Sequence, residues 1–293
     1  MRVLVTGSHG LIGTALVAAL EADGDEVVRL SRGHQWEPES GTFDESALEG
    51  VDAVVHLAGE GIGEHRWSDG HKAKVLDSRV KGTTALATAA ARRADQLRAF
   101  VSASAVGYYG DRGDEPLTED STPGQGFLAD VCRQWEAATG PASKAGVRTV
   151  LVRSGIVLSP KGGALAKQLT PFRLGAGGRL GNGRQWQSWI AIDDEVGAIR
   201  HALDNEAVEG PLNATAPNPV TNAEFTKALG KVLGRPAVLA VPAAALRTMF
   251  GRGMADEMLL AGQRVLPAKL EATGYQFRHP TLDAALRAVL GKG

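Results

Sequence analysis

The chain has 293 residues, 43% hydrophobic and 22% charged, with a formal net charge of -1 at pH 7. That length holds one large domain or two unequal ones, and the balanced charge gives no electrostatic reason to expect nucleic acid or an anionic membrane as partner. The single cysteine, Cys132, excludes an intramolecular disulfide and fits a reducing, cytoplasmic setting. The first residues read as a strand and turn rather than a signal peptide, and no apolar run approaches the roughly 20 residues of a membrane span. No Cys/His cluster has metal-ligand spacing, so no metal site is expected.

The chain opens MRVLVTGSHGLIG. Val3, Leu4 and Val5 form the short apolar run of a buried parallel strand. Thr6 to Gly10 break it. Leu11, Ala15, Ala18 and Ala19 then recur at helical spacing, which predicts a helix from near Gly10 to about Asp23, stopped at Gly24. Strand, glycine turn and helix N-terminus in that order form the setting a nucleotide pyrophosphate requires. Gly7 permits the tight turn, Gly10 the approach of backbone to phosphate, and Gly13 close packing of the helix on the strand. The candidate contacts are therefore Gly7, Ser8, His9, Gly10, Leu11, Ile12 and Gly13.

Val27 to Leu30 reads as a second strand, ending at Ser31 and Arg32. A carboxylate at this point would bond the ribose 2′-hydroxyl of NAD, whereas arginine accommodates a 2′-phosphate, so Ser31 and Arg32 favour NADP(H). Trp36-Glu37-Pro38 closes a short third strand. Ala53 to Ala58 is the next buried strand, closed by Gly59, with its carboxyl edge (Leu57, Ala58, Gly59) expected to face the cofactor. A helix over Lys72 to Ala94, a strand over Phe100 to Ala103, a helix over Gly126 to Thr139 and a strand over Val147 to Arg153 follow. This alternation predicts an α/β fold, a Rossmann-type doubly wound parallel sheet over residues 1–158, to which residues 187–212 return.

From Pro160 the character changes. Seven glycines between Lys161 and Gly183 predict a long functional loop. Trp189 to Ile192 resumes as a strand, and Asp193 is expected to cap a helix reaching Leu203. Thr221-Asn222-Ala223-Glu224 spells a capping box for a helix to about Leu233, and short helices around Pro242, Pro267 and Pro280 complete the chain. Residues 159–186 and 213–293 are thus expected to form a smaller α+β region covering the substrate.

Together these segments resemble one branch of the atypical short-chain dehydrogenase/reductases, the epimerase-like family labelled nucleoside-diphosphate-sugar epimerases, with its own C-terminal domain. The resemblance rests on TGSHGLIG, LSR at Leu30 to Arg32, LAGEGI at Leu57 to Ile62, and Arg66-Trp67. DSRVKGT at Asp77 to Thr83, GYYGD at Gly107 to Asp111, Trp135-Glu136, VRSGIVLS at Val152 to Ser159, TNAEF at Thr221 and ATGYQF at Ala272 continue it. It implies NADP(H) contacts at Ser31, Arg32, Leu57, Ala58, Arg79 and Val157. One marker departs: where relatives read WIHI, this chain has Ala191 in the histidine position.

Such enzymes usually pair a serine with Tyr-x-x-x-Lys, the tyrosine moving a proton while the nicotinamide moves a hydride. Ser104 stands where the serine is expected. The Tyr-x-x-x-Lys is missing: counting back from Glu136, its slots hold Leu128 (or Phe127) and Cys132 (or Val131). Tyr108 in the glycine-flanked loop is the candidate substitute donor, and Arg79 a partial substitute for the lysine charge. Trp186, Trp189 and Phe172 are candidates to line a substrate pocket, and Arg153, Arg173 and Arg184 to bind an anionic group. The two readings are an NADP(H)-dependent oxidoreductase or epimerase acting on a carbonyl or nucleotide-sugar small molecule, and a non-catalytic NADP(H)-binding sensor. The oligomeric state stays open.

Overall fold

The apolar run at the start of the chain becomes β1 (Arg2–Thr6), with Val3, Leu4 and Val5 wholly buried. Burying each such side chain contributes about 2 kcal/mol. In the computed structural model, which describes residues 1–31, 33, 36–38 and 40–292, it is followed by α1 (Leu11–Ala22), β2 (Glu26–Leu30), β3 (Ala53–His56), α2 (Asp69–Ala91) and β4 (Ala99–Ala105). Next come α3 (Phe127–Ala137), β5 (Thr149–Ser154), α4 (Ile192–Asp204) and β6 (Gly210–Ala214). These strands make one parallel sheet in the order β6-β5-β4-β3-β1-β2. β1 pairs in parallel with β2 on one side and β3 on the other. The chain therefore steps outward to β2, crosses back to β3, and opens a crevice beyond the carboxyl ends of β1 and β3.

The chain divides into two compact units, one of residues 1–105, 130–153 and 196–212, the other of residues 106–129, 154–195 and 213–293. The first unit's core packs Leu4, Leu30, Val54 and Phe100 of the sheet against Leu86 and Ala90 of α2. α2 starts where Ser68 accepts a hydrogen bond from the His71 N–H, and its small residues Ala87, Ala89 and Ala90 are buried. α1 ends at Ala22 with Asp23 as its C-cap, and Gly24 takes φ +84° just beyond.

The second unit has its own core of Leu158, Leu165, Leu169, Trp189, Phe225 and Leu229. Ile156–Leu158 pairs in parallel with Trp189–Ala191. The capping box forms as read: Thr221 accepts from the Glu224 N–H and the Glu224 carboxylate accepts from the Thr221 N–H, opening a helix over Asn222–Leu233 that Gly234 ends at φ +65°.

Two expectations are corrected. The glycine-rich stretch from Lys161 to Gly183 is not one long loop, because Leu165, Leu169 and Phe172 fall on one face and fold Gly163–Arg173 into a helix. Gly178–Leu180 then forms a strand beside Leu239–Val241. Asp193 does not cap α4, which begins one residue earlier at Ile192. Asp193 lies in the first turn, where a carboxylate still complements the helix dipole. No helix among the described residues is long and apolar enough to cross a membrane.

Candidate functional site

The turn between β1 and α1 is built from close backbone approaches that only glycine permits. Gly7 sits at φ +67°, and a Cβ there would stand 2.8 Å from the Leu57 carbonyl carbon. A Cβ on Gly13 would stand 2.1 Å from the Gly7 carbonyl oxygen, so α1 begins directly against the turn. Gly10 is the N-cap residue, in extended conformation, and it offers no side chain to satisfy the helix's first N–H groups. No acidic residue lies in the first turn. The result is an uncapped helix N-terminus at the carboxyl end of β1, carrying partial positive charge.

Around this corner lies a cavity of about 300 Å³ lined by the turn residues Gly7 to Gly10, by Leu30, Ser31 and Trp36, and by Leu57, Ala58 and Gly59. Ser31 is exposed at the end of β2. Arg32, the residue expected to choose the 2′-phosphate, lies outside the described residues. Leu11 and Ile12 open α1 and are half-buried.

The position of Leu57 and Ala58 is fixed by a network that the sequence did not reveal. Thr6 Oγ1 accepts from the Ala58 N–H (3.2 Å) and meets His56 Nδ1 (2.7 Å), while His56 Nε2 meets Thr83 Oγ1 (2.9 Å). His56 is wholly buried, and burial, with the nearby Arg79 cation, holds it down to about 4. It is therefore a neutral imidazole bridging β1, β3 and α2 at neutral pH.

Ser104, near the end of β4, donates to Glu136 Oε1 at 2.7 Å. Arg153 grips the same carboxylate through Nε to Oε1 and Nη2 to Oε2, both at 2.8 Å. Arg153 is 2% exposed, so it is a buried partner of Glu136 and not the substrate-anion ligand expected from its position in the chain. Sequence separation hid the cluster, since Glu136 stands 32 residues from Ser104 and 17 from Arg153.

Arg79 is also buried. Its Nη1 donates to the Glu60 and Val75 carbonyls (2.9 and 3.1 Å), its guanidinium lies 4.8 Å from the centroid of Trp135, and Gly59 has no Cβ to obstruct it. Burial pulls Arg79 down to about 10, which leaves it a cation at neutral pH, and Cys132 is among the groups whose charge it feels. Cys132 is one of the two residues, with Val131, expected at the lysine slot; burial, then the Glu136 charge, pushes its thiol up to about 11. The Cys132 thiol therefore keeps its proton at neutral pH, within range of the Arg79 charge.

The second unit holds the remaining candidates. Tyr108 lies in a 3-10 turn, Val106–Tyr109, that directly follows β4; it is half-buried, edge-on to Tyr109, against Leu117 and Val265. The Tyr109 hydroxyl donates to Asn213 Oδ1 at 2.7 Å. Val157 is half-buried and pairs with Ile190. Trp189 and Phe172 are core residues, not pocket walls, and the Trp189 indole donates to the Asn218 carbonyl. Trp186 is half-buried and donates to Asp114, while Arg173 and Arg184 are exposed. A cavity of about 220 Å³ in this unit carries three carboxylates, Asp111, Asp256 and Glu257, a pattern unfavourable to a diphosphate. Among the described residues, no group of three or more His, Cys, Asp or Glu side chains is arranged to hold a metal ion.

Comparison with known proteins bears on the same corner. Residues 3–214 match the family described as NAD dependent epimerase/dehydratase, and residues 241–289 match a domain of unknown function, DUF1731. An epimerase family protein of Mycobacterium tuberculosis is 47% identical over 97% of this chain and 96% of its own length. The crystal structure of human epimerase family protein SDR39U1 (isoform2) with NADPH superposes with a TM-score of 0.91 at 41% identity, covering 99% of each chain. The fold is shared more widely: UDP-glucose 4-epimerase of Thermus thermophilus, crystallised with NAD, gives a TM-score of 0.78 at 21% identity over 100% of this chain and 98% of its own.

Proposed function

The chain belongs to the NAD dependent epimerase/dehydratase family, and from that premise we propose that it binds NADP(H) and acts as an oxidoreductase or epimerase on a small carbonyl or nucleotide-sugar compound in the cytoplasm. The observation that carries this reading is the β1–α1 corner, a glycine-walled turn leading into a helix N-terminus with neither a side-chain cap nor a first-turn carboxylate. A cap or a carboxylate would compete with phosphate, so the residues present fit a dinucleotide. The turn from Gly7 to Gly13, with Ser8, His9, Leu11 and Ile12, would hold the pyrophosphate. Ser31 and Arg32 would take the 2′-phosphate, Leu57 to Gly59 would wall the site, and Arg79 would supply a cation beside the vacated lysine slot. The NADPH in the human relative's structure supports the phosphorylated form.

When bound, the nicotinamide gives or takes a hydride. The chain's part is to hold the reacting oxygen at Ser104 and to move a proton, for which Tyr108 is the candidate. Calorimetry with NADPH and NADH tests the premise. NADPH should bind at least about tenfold tighter, and Arg32→Ala should erase that margin by removing a charge-assisted phosphate contact. No heat with either nucleotide overturns it.

A second reading is favoured by the missing Tyr-x-x-x-Lys: its slots hold Leu128 (or Phe127) and Cys132 (or Val131), and burial pushes the Cys132 thiol up to about 11. On that reading the protein is a non-catalytic NADP(H)-binding sensor. Saturable NADPH-dependent turnover of a carbonyl or nucleotide-sugar substrate, lost in Ser104→Ala, excludes it; tight binding without turnover supports it.

A further inference from the structure

The state of the Ser104 hydroxyl narrows what that site can receive. Both oxygens of Glu136 accept from the Arg153 guanidinium, so Glu136 is in its carboxylate form and can only accept. The Ser104 hydroxyl, 2.7 Å from Oε1, therefore spends its one proton on Glu136. The arrangement is buried: Ser104 is 4% exposed, the Glu136 side chain 9% and that of Arg153 2%. Water competes poorly there, and rotating the hydroxyl away would leave a charged acceptor short of a donor. Cys132 also faces Ser104, but its thiol is directed at the Ala105 carbonyl at 3.7 Å. What Ser104 has left to offer is lone pairs.

We propose that Glu136 and Arg153 lock Ser104 as a hydrogen-bond acceptor, so that its site selects a substrate hydroxyl, the alcohol member of an alcohol–ketone pair, over the corresponding carbonyl. The inference rests on the proposed NADP(H)-dependent function and makes the alcohol, with oxidised NADP as the electron acceptor, the preferred starting complex. Glu136 and Arg153 are positioning residues acting through Ser104. A carbonyl oxygen set against Ser104 would meet lone pairs only; an alcohol donates into them.

Two measurements test this. In a joint X-ray and neutron structure of the NADPH-loaded protein, the Ser104 deuterium should lie on the line from Oγ to Glu136 Oε1. A deuterium pointing elsewhere overturns the proposal. In saturation-transfer NMR on the NADP⁺-loaded protein, cyclohexanol should compete over cyclohexanone by about tenfold, the scale of one mismatched buried hydrogen bond. Ser104→Ala should abolish the preference while leaving NADPH affinity near wild type, with a melting temperature lowered by the loss of one buried hydrogen bond to Glu136. Replacing the whole pair by apolar residues (Glu136→Leu with Arg153→Met) avoids a stranded charge and frees the hydroxyl to donate, so the preference should disappear or reverse. A ketone preference, equal competition, no binding of either probe, or a preference surviving Ser104→Ala overturns the proposal. Failure of NADPH itself to bind instead removes the functional premise beneath it.

Discussion

Gly13 decides whether the turn between β1 and α1 can close. A Cβ there would sit 2.1 Å from the Gly7 carbonyl oxygen, which is backbone and cannot swing aside. Gly13→Ala must therefore push α1 off the turn, at a cost of roughly 1–3 kcal/mol in stability and at least about tenfold in NADPH affinity. Thermal unfolding and calorimetry on the one variant measure both; an unchanged affinity would mean the corner does not hold the nucleotide. Glu195 gives a different kind of residue-level prediction. Burial pushes its carboxyl from 4.5 up to about 7, and its Oε2 has no hydrogen-bond partner. The unfolded chain releases this proton near 4.5 and the folded chain near 7, so the folded state binds the extra proton in between. Stability from this group is complete below 4.5 and drains away as pH rises to about 7. Glu195→Gln has no proton to lose, so denaturant titrations should show its stability relative to wild type rising across that window by up to roughly 3 kcal/mol. Parallel pH profiles would show that Glu195 ionises as an exposed carboxylate does. Residues of these two kinds differ in legibility. The glycine turn is local in sequence and could be read there, whereas His56 meets Thr83 across 27 residues, and the Ser104–Glu136–Arg153 cluster joins two strands to a helix.

Elements were legible where periodicity and punctuation agreed. Val3 to Val5 and Ala53 to Val55 are apolar runs short enough to be buried strands, and both lie in the central sheet. The capping box at Thr221 could be read for the same reason: its two reciprocal bonds are encoded within four residues. Thr221→Ala should cost about 1 kcal/mol and Thr221→Ser little, a contrast that thermal unfolding resolves. Equal melting temperatures for all three proteins would mean that the core residues Phe225 and Leu229 hold this helix without its cap. In the glycine-rich stretch, composition points to a loop while the apolar period points to a helix. Gly162 and Gly163 open the Gly163–Arg173 helix and Gly175 (φ +74°) follows its end, while Gly181 (φ +59°) and Gly183 (φ +74°) serve turns beyond the Gly178–Leu180 strand. Between them, Leu165, Leu169 and Phe172 carry a complete helical stripe. In the sequence, ATGYQF is only a family marker. Its Tyr275 hydroxyl donates to Asp194 (3.1 Å), 81 residues away, which also accepts from the Arg278 and His279 N–H groups just beyond the segment (2.7 and 2.9 Å).

At the scale of the whole molecule, neither compact unit is one continuous stretch of chain; each is assembled from three. The first unit in particular borrows residues 196–212 from far along the sequence. That segment carries β6, the outermost strand beside β5, up to Leu212. It also satisfies Arg148, which donates to the carbonyls of Ala202, Leu203 and Val208 at 2.7–2.9 Å. Arg200 from the same segment pairs with Asp25, which the chain's own N-terminal ammonium also contacts. A fragment of residues 1–158 keeps the glycine turn and every strand up to β5, so a purely local account of nucleotide binding would expect it to bind. The topology argues otherwise. Without β6 the edge of β5 presents unpaired backbone groups, and the buried Ala198, Ile199 and Ala202 of the returning segment are lost with it. The fragment should therefore show poor amide dispersion by NMR, elute as aggregate, and give no calorimetric heat with NADPH. Adding residues 159–212 in the same chain should restore at least part of the dispersion, because it returns the missing strand and helix. A folded, monomeric 1–158 that binds NADPH would show that the returning segment is dispensable, and that the βα corner owes its shape to the first five strands alone.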